Sequence, residues 1–121
     1  EKDFDRLINL LFVKHVFLPY PFKKMFLQEA VANRSFNQKI MTDFIPGAFS
    51  LEKDLPKIKA PALILWGDQD KILDISSVSV FEKGLAKHKT VIIKDCGHVP
   101  MVEKPRETAN AYLSFIKSVS S

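Results

Sequence analysis

The chain of 121 residues has a single cysteine, a single tryptophan, two tyrosines and four glycines. A lone Cys96 cannot close an intramolecular disulfide, and it excludes a zinc site built from several cysteines. No apolar run reaches the ~18 residues that a membrane span needs. The opening EKDFDRL has neither an initiator methionine nor a signal-peptide pattern, so the chain reads as a segment of a longer protein. That protein is equally compatible with a membrane anchor or a cytoplasmic home, and no compartment is read from this segment. Acidic residues are the minority, 14 against 18 Lys and Arg, giving a formal charge of +4. The cations are scattered, so no basic surface for nucleic acid is expected. With 46% hydrophobic and 26% charged residues, the segment is expected to be soluble and globular.

What the chain has in quantity is phenylalanine, ten in all. Phe4, Leu7, Ile8, Leu11 and Phe12 fall at helical spacing and predict a helix over 3–14. Pro19 and Pro21 break it, and Pro21 suits the first turn of a second helix, whose apolar face is Phe22, Met25, Phe26 and Ala30. Ser35 and Gln38 have capping-box spacing before a third helix. That helix is expected to bury Phe36, Ile40, Met41, Phe44 and Ile45 and to end at Pro46–Gly47. The character then changes. Ala62 to Trp66, ALILW, is a continuous apolar run between Pro61 and Gly67 and predicts a strand buried on both faces. Residues 76–87 read as a helix with Ser79 and Glu82 in capping-box spacing and Val78, Phe81 and Leu85 on one side. TVIIK, 90–94, is a second buried strand. A closing helix spans 105–119, with Ala109, Tyr112, Leu113 and Ile116 as its inner stripe.

Strand, helix, strand, helix with short links predicts an α/β unit with two parallel strands. The expected organisation is a helical segment over 1–46, a linker over 47–60 and a βαβα unit over 61–121. In an open parallel sheet, ligands sit beyond the carboxyl ends of the strands. The loop after the first strand holds Asp68 and Asp70; the loop after the second holds Asp95 and His98. Adjacent strands lie about 5 Å apart, so an aspartate and a histidine far apart in sequence meet at one sheet edge. A carboxylate there fixes the imidazole tautomer and stabilises the imidazolium that forms when it takes a proton. Taken singly, His98 is an ordinary loop histidine, a base or a ligand, and each aspartate is a turn residue or an acid. His15 and His88 stand where they offer His98 no metal-ligating partner, so no metal is expected. Cys96 reads as a small buried hydrophobe rather than a nucleophile.

PALILWGDQDKIL followed by VIIKDCGHVPMVEKPRETANAYLSFI resembles the C-terminal portion of an α/β-hydrolase. The family carries its catalytic acid in a Gly-x-x-Asp turn after a strand, matched by Gly67 and Asp70. It carries its histidine in a Gly-His motif before the last helix, often followed by Glu-x-Pro, matched by Gly97, His98, Glu103 and Pro105. Within the family the wording is similar to bacterial lipases and to monoacylglycerol lipases of the ABHD6-like group. The resemblance implies that Asp70 is the triad acid, with Asp68 as the alternative, and that His98 is the general base. Glu103 would brace the loop or the start of the helix. Ile72, Leu73, Val99 and Pro100 would border an acyl pocket for an ester or lipid substrate. The helices over 3–45 would be a cap, facing the acyl chain or a membrane surface, or packing their own core. No cofactor is implied.

The family's nucleophile elbow is Gly-x-Ser-x-Gly. The glycines here stand at 47, 67, 84 and 97, so this chain has no such motif. The expectation is a piece with two of three triad residues, inactive alone, whose serine lies upstream. Epoxide hydrolase, haloalkane dehalogenase and carbon–carbon bond hydrolase reactions use the same fold with changes at the nucleophile. A non-catalytic binding module is the reading from another class. The free edge of the first strand is expected to drive self-association, unless residues 1–45 fold over the exposed surface.

Overall fold

The computed structural model describes residues 2–14, 17–44 and 50–120. His15, Ile45 and the Pro46–Gly47 turn lie outside the described residues. Three helices come first: α1 (Lys2–Leu11), α2 (Tyr20–Ala32) and α3 (Arg34–Phe44). Pro21 occupies the first turn of α2, where its missing N–H costs nothing. A 3₁₀ turn at Leu55–Lys57 leads into β1 (Ala62–Gly67) and α4 (Ser77–Gly84). β2 (His88–Ile93), the short α5 (Pro100–Glu103) and α6 (Pro105–Val119) complete the chain.

β1 and β2 pair in parallel, as the βαβα order predicts, in register from Ala62↔His88 to Gly67↔Ile93. Strand side chains alternate between faces. On one face Ile64 joins Leu55, Val78 and Leu85 in a buried cluster, with Ala62, Trp66 and Val80 packed against it. The Trp66 and Phe81 rings meet at 6.2 Å. α6 packs against both strands. Gly84 ends α4 three residues before the expected limit. Leu85 then turns to extended backbone and drops into the core.

Several expectations fail for physical reasons. The strands are not buried on both faces. Among the described residues the sheet has two strands, so each is an edge, and Ile92 is exposed. Ser35 does not cap α3. Asn33 follows α2 directly, its carbonyl accepts the Asn37 N–H at 2.8 Å, and Ser35 is already inside the first turn. Ser79 and Glu82 do not form a capping box either. The Ser79 hydroxyl donates to the Ser76 carbonyl, and Glu82 accepts from the Thr90 hydroxyl at 2.7 Å. The inner side of α6 is Thr108, Ala111 and Phe115, while Tyr112, Leu113 and Ile116 are exposed. Two apolar stripes share this helix, and periodicity alone chose the wrong one.

The Phe-rich helices also differ from expectation. None of α1, α2 and α3 contains a buried residue. Phe22, Met25, Phe26, Phe36, Ile40, Met41 and Phe44 are exposed, Phe44 at 68%. They do not form a core of their own, because no described element covers that face. A charged contact joins α1 to α2. The Lys23 ammonium donates to Asp5 at 2.7 Å and sits 5.9 Å over the Phe4 ring.

The carboxyl ends of the strands are locked by backbone crossing backbone. A Cβ on Gly67 would collide with the Gly97 carbonyl oxygen and with the carbonyl group of Cys96. All of these are main-chain atoms that cannot swing aside. Gly67→Ala is therefore expected to lower stability by about 1–3 kcal/mol, the usual cost of overpacking. Urea unfolding midpoints of the two proteins measure it, and an unchanged midpoint would contradict the crossing.

Candidate active site

The loop after β1 begins where the strand register ends. The Asp68 N–H donates to Ile93 O at 3.0 Å, and the Gln69 N–H to Cys96 O at 3.0 Å. Asp68 turns its carboxylate across the gap and accepts the Cys96 N–H at 3.2 Å. That contact ties strand end to strand end, and the carboxylate on the imidazole is that of Asp70, not of Asp68. Asp95 takes the left-handed conformation at φ 50°, which a short polar side chain tolerates, and accepts from the Gln69 amide at 3.1 Å.

Asp70 and His98 meet. Asp70 Oδ2 lies 2.8 Å from His98 Nδ1. The other oxygen, Oδ1, accepts the N–H groups of Ile72 at 2.8 Å and Leu73 at 3.0 Å. The carboxylate side chain is 5% exposed and the imidazole 31%. Burial disfavours the charged carboxylate, but the Leu73 N–H, the His98 hydrogen bond and the Ile72 N–H together outweigh it. Asp70 is held below its ordinary 3.8. An ionised carboxylate can only accept, so Nδ1 carries the imidazole proton and Nε2 keeps its lone pair. The arrangement can therefore take a proton at Nε2 while the imidazolium is stabilised from behind.

The histidine's backbone is held separately. The His98 N–H donates to Leu11 O, at the last residue of α1, at 2.8 Å. The Gly97 N–H donates to Glu103 Oε2 at 2.7 Å. Glu103 Oε1 accepts two more donors, Val13 N–H at 2.8 Å and Lys14 N–H at 2.9 Å. The loop bracing expected of Glu103 is present. Its reach to residues 13 and 14 was not legible, because no spacing rule links positions so far apart. Burial works against the charge on Glu103, and the N–H groups of Gly97, Lys14 and Val13 prevail, holding it below 4.5.

Leu73 and Pro100 line a small cavity of about 120 Å³ together with Leu65, Trp66, Gly67, Asp70 and His98. Ile72 and Val99 are outside that lining; Ile72 contributes its N–H instead. A larger cavity of about 510 Å³ lies elsewhere, among Ser50, Leu51, Leu55 and Phe81, and holds no acid–base pair. Cys96 is fully buried beside the site. Burial, with Glu103 adding its negative charge, pushes the thiol up to about 11, so it stays protonated and is no nucleophile. His88 is far along the sheet, its Nδ1 2.8 Å from Leu85 O. Among the described residues no three His, Cys, Asp or Glu side chains converge on a metal position. None of the described helices is long and apolar enough to cross a membrane.

A profile of the alpha/beta hydrolase fold matches residues 19–105. The chain belongs to the α/β-hydrolase family. Lipase 1 of Psychrobacter immobilis is 31% identical over 94% of this chain and 36% of its own length. Monoacylglycerol lipase ABHD6 of Homo sapiens is 32% identical over 74% of this chain and 27% of its own. A crystal structure described as a membrane phospholipase A, a bacterial virulence factor, superposes with a TM-score of 0.93. It is 43% identical, over 99% of this chain and 39% of that one. The chain thus spans about a third of the length of the curated relatives it matches.

Asp70 and Glu103 give the site a definite acid response. Each takes its proton at a lower pH in the folded chain than in the unfolded one. The stabilisation is complete above the ordinary values of 3.8 and 4.5 and is lost as pH falls through the lower folded values. Stability from urea unfolding is expected to decline less steeply with falling pH in Asp70→Asn than in the parent. Parallel declines would show that Asp70 contributes nothing to the acid limb.

Proposed function

We propose that the whole protein is a serine hydrolase of carboxylic esters, acting on lipid esters of the monoacylglycerol kind. The observation that carries this reading is the 2.8 Å pair of Asp70 and His98 at the carboxyl ends of two adjacent parallel strands. His98 Nε2 takes the proton of a serine that lies upstream of this chain, and Asp70 holds the imidazole in the tautomer that leaves Nε2 free. The serine oxygen attacks the ester carbonyl. The imidazolium returns its proton to the departing alcohol, and water then releases the acid by the same route in reverse. Lipid substrates are favoured by the relatives, which are a lipase, a monoacylglycerol lipase and a protein described as a membrane phospholipase A. In this reading residues 1–46 form a cap, 47–60 a linker and 61–121 part of the catalytic core. Leu73 and Pro100, which line the small cavity at the pair, border the acyl chain, with their neighbours Ile72 and Val99 beyond that lining. The exposed phenylalanines and methionines of α2 and α3 face lipid, substrate or membrane surface.

Hydrolysis of p-nitrophenyl esters of graded chain length by the whole protein tests the reading. Asp70→Asn is expected to lower kcat by about 10⁴-fold, as loss of the tautomer-fixing acid does elsewhere, and His98→Ala by at least as much. Parental rates in His98→Ala would end it. The 121-residue chain alone is expected neither to hydrolyse these esters nor to react with a fluorophosphonate. With no strand on the outer edge of β1 among the described residues, it is also expected to self-associate, and light scattering from a clean monomer at high concentration would refute that.

A further inference from the structure

One carboxylate collects three backbone donors from two distant stretches of chain. Glu103 Oε2 takes the Gly97 N–H, and Oε1 takes the N–H groups of Val13 and Lys14. Between those anchors the His98 N–H donates to Leu11 O. The chain at 11–14 and the chain at 97–98 are therefore clamped at four points, three of them on Glu103. The fit is close. A Cβ on Gly97 would fall 2.5 Å from Leu11 O and 3.3 Å from Glu103 Oε2. Charge-assisted hydrogen bonds of this kind are roughly twice as strong as neutral ones. The Asp70 contact fixes the imidazole ring at Nδ1, yet it leaves the peptide carrying that ring free to tilt. Glu103 and Leu11 remove that freedom.

We infer that Glu103 is a positioning residue for His98, setting the base through the Gly97 peptide and holding segment 11–14 against it. The inference rests on the reading of His98 as the general base. A glutamine in place of Glu103 retains one oxygen, and its amide N–H₂ would face N–H donors. The clamp then loses at least one of its attachments while side-chain size is kept. A general base displaced by a fraction of an ångström is felt in the transition state rather than in ground-state binding.

The test measures kcat and KM for ester hydrolysis by the whole protein carrying Glu103→Gln, with His98→Ala as the control. The low-field proton resonance of the His98 Nδ1–H bond to Asp70 is followed in the same protein, and circular dichroism reports the fold. The expected result is a kcat lower by about 10- to 100-fold, the range a small misplacement costs, with KM unchanged and the resonance broadened or lost. Parental kcat and an unaltered resonance would overturn the inference, and so would a raised KM at unchanged kcat. If Glu103→Gln does not fold, Lys14→Pro removes one donor at an exposed position and leaves the Gly97 contact intact. A lower kcat at constant KM there supports the clamp, and parental kinetics overturn it. An active His98→Ala would instead refute the base itself, which separates the two failures.

Discussion

Everything at the site depends on two loops crossing main chain against main chain. Gly67 closes β1 with no side chain because the Cys96 and Gly97 carbonyls occupy the space a Cβ would need. Around that crossing the Asp68 carboxylate takes the Cys96 N–H, and Cys96 O takes the Gln69 N–H. These bonds set the separation of the two loops. Asp70 and His98 follow from it, since each lies only a few residues beyond the crossing. The hydrogen bond between them is thus a consequence of backbone packing more than of side-chain reach.

Much of this was legible in the residues themselves. Gly67 and Pro61 bracket an apolar run that forms a strand with little freedom to do otherwise. The spacing from Gly67 to Asp70, and from Gly97 to His98, placed both groups at one sheet edge once the strands were taken as adjacent and parallel. α6 begins at Pro105 and ends at Val119 as its apolar period implies. What failed was whatever depended on a neighbour. Tyr112 and Leu113 fit an inner stripe as well as Ala111 and Phe115 do, and only the packing partner distinguishes them. Ser35 and Ser79 had the right spacing for capping. Asn33 and Thr90, remote or unremarkable in sequence, took over the relevant hydrogen bonds.

The helices before the sheet show how far amphipathic pattern goes. Phe22, Met25, Phe26, Phe36, Met41 and Phe44 form helices, yet they remain on the outside. Helical periodicity says which residues share a face, not what covers it. The sequence of α2 and α3 therefore fixes an apolar surface without naming its occupant. So many large apolar side chains exposed on two neighbouring helices are the observation behind the proposal that these helices face lipid.

The electrostatics of the site point in one direction. Asp70 and Glu103 both remain charged despite burial, and backbone N–H groups rather than a buried lysine or arginine do most of the work. A full cation beside Asp70 would have paired with it and opposed an imidazolium on His98. Peptide dipoles hold the carboxylate ionised without adding a competing positive charge. The Ile72 and Leu73 amides also fix the direction of Asp70, because two donors on Oδ1 leave Oδ2 for the imidazole. An arrangement of this kind keeps Asp70 ionised and His98 in one tautomer. That preorganisation is what proton transfer at Nε2 requires.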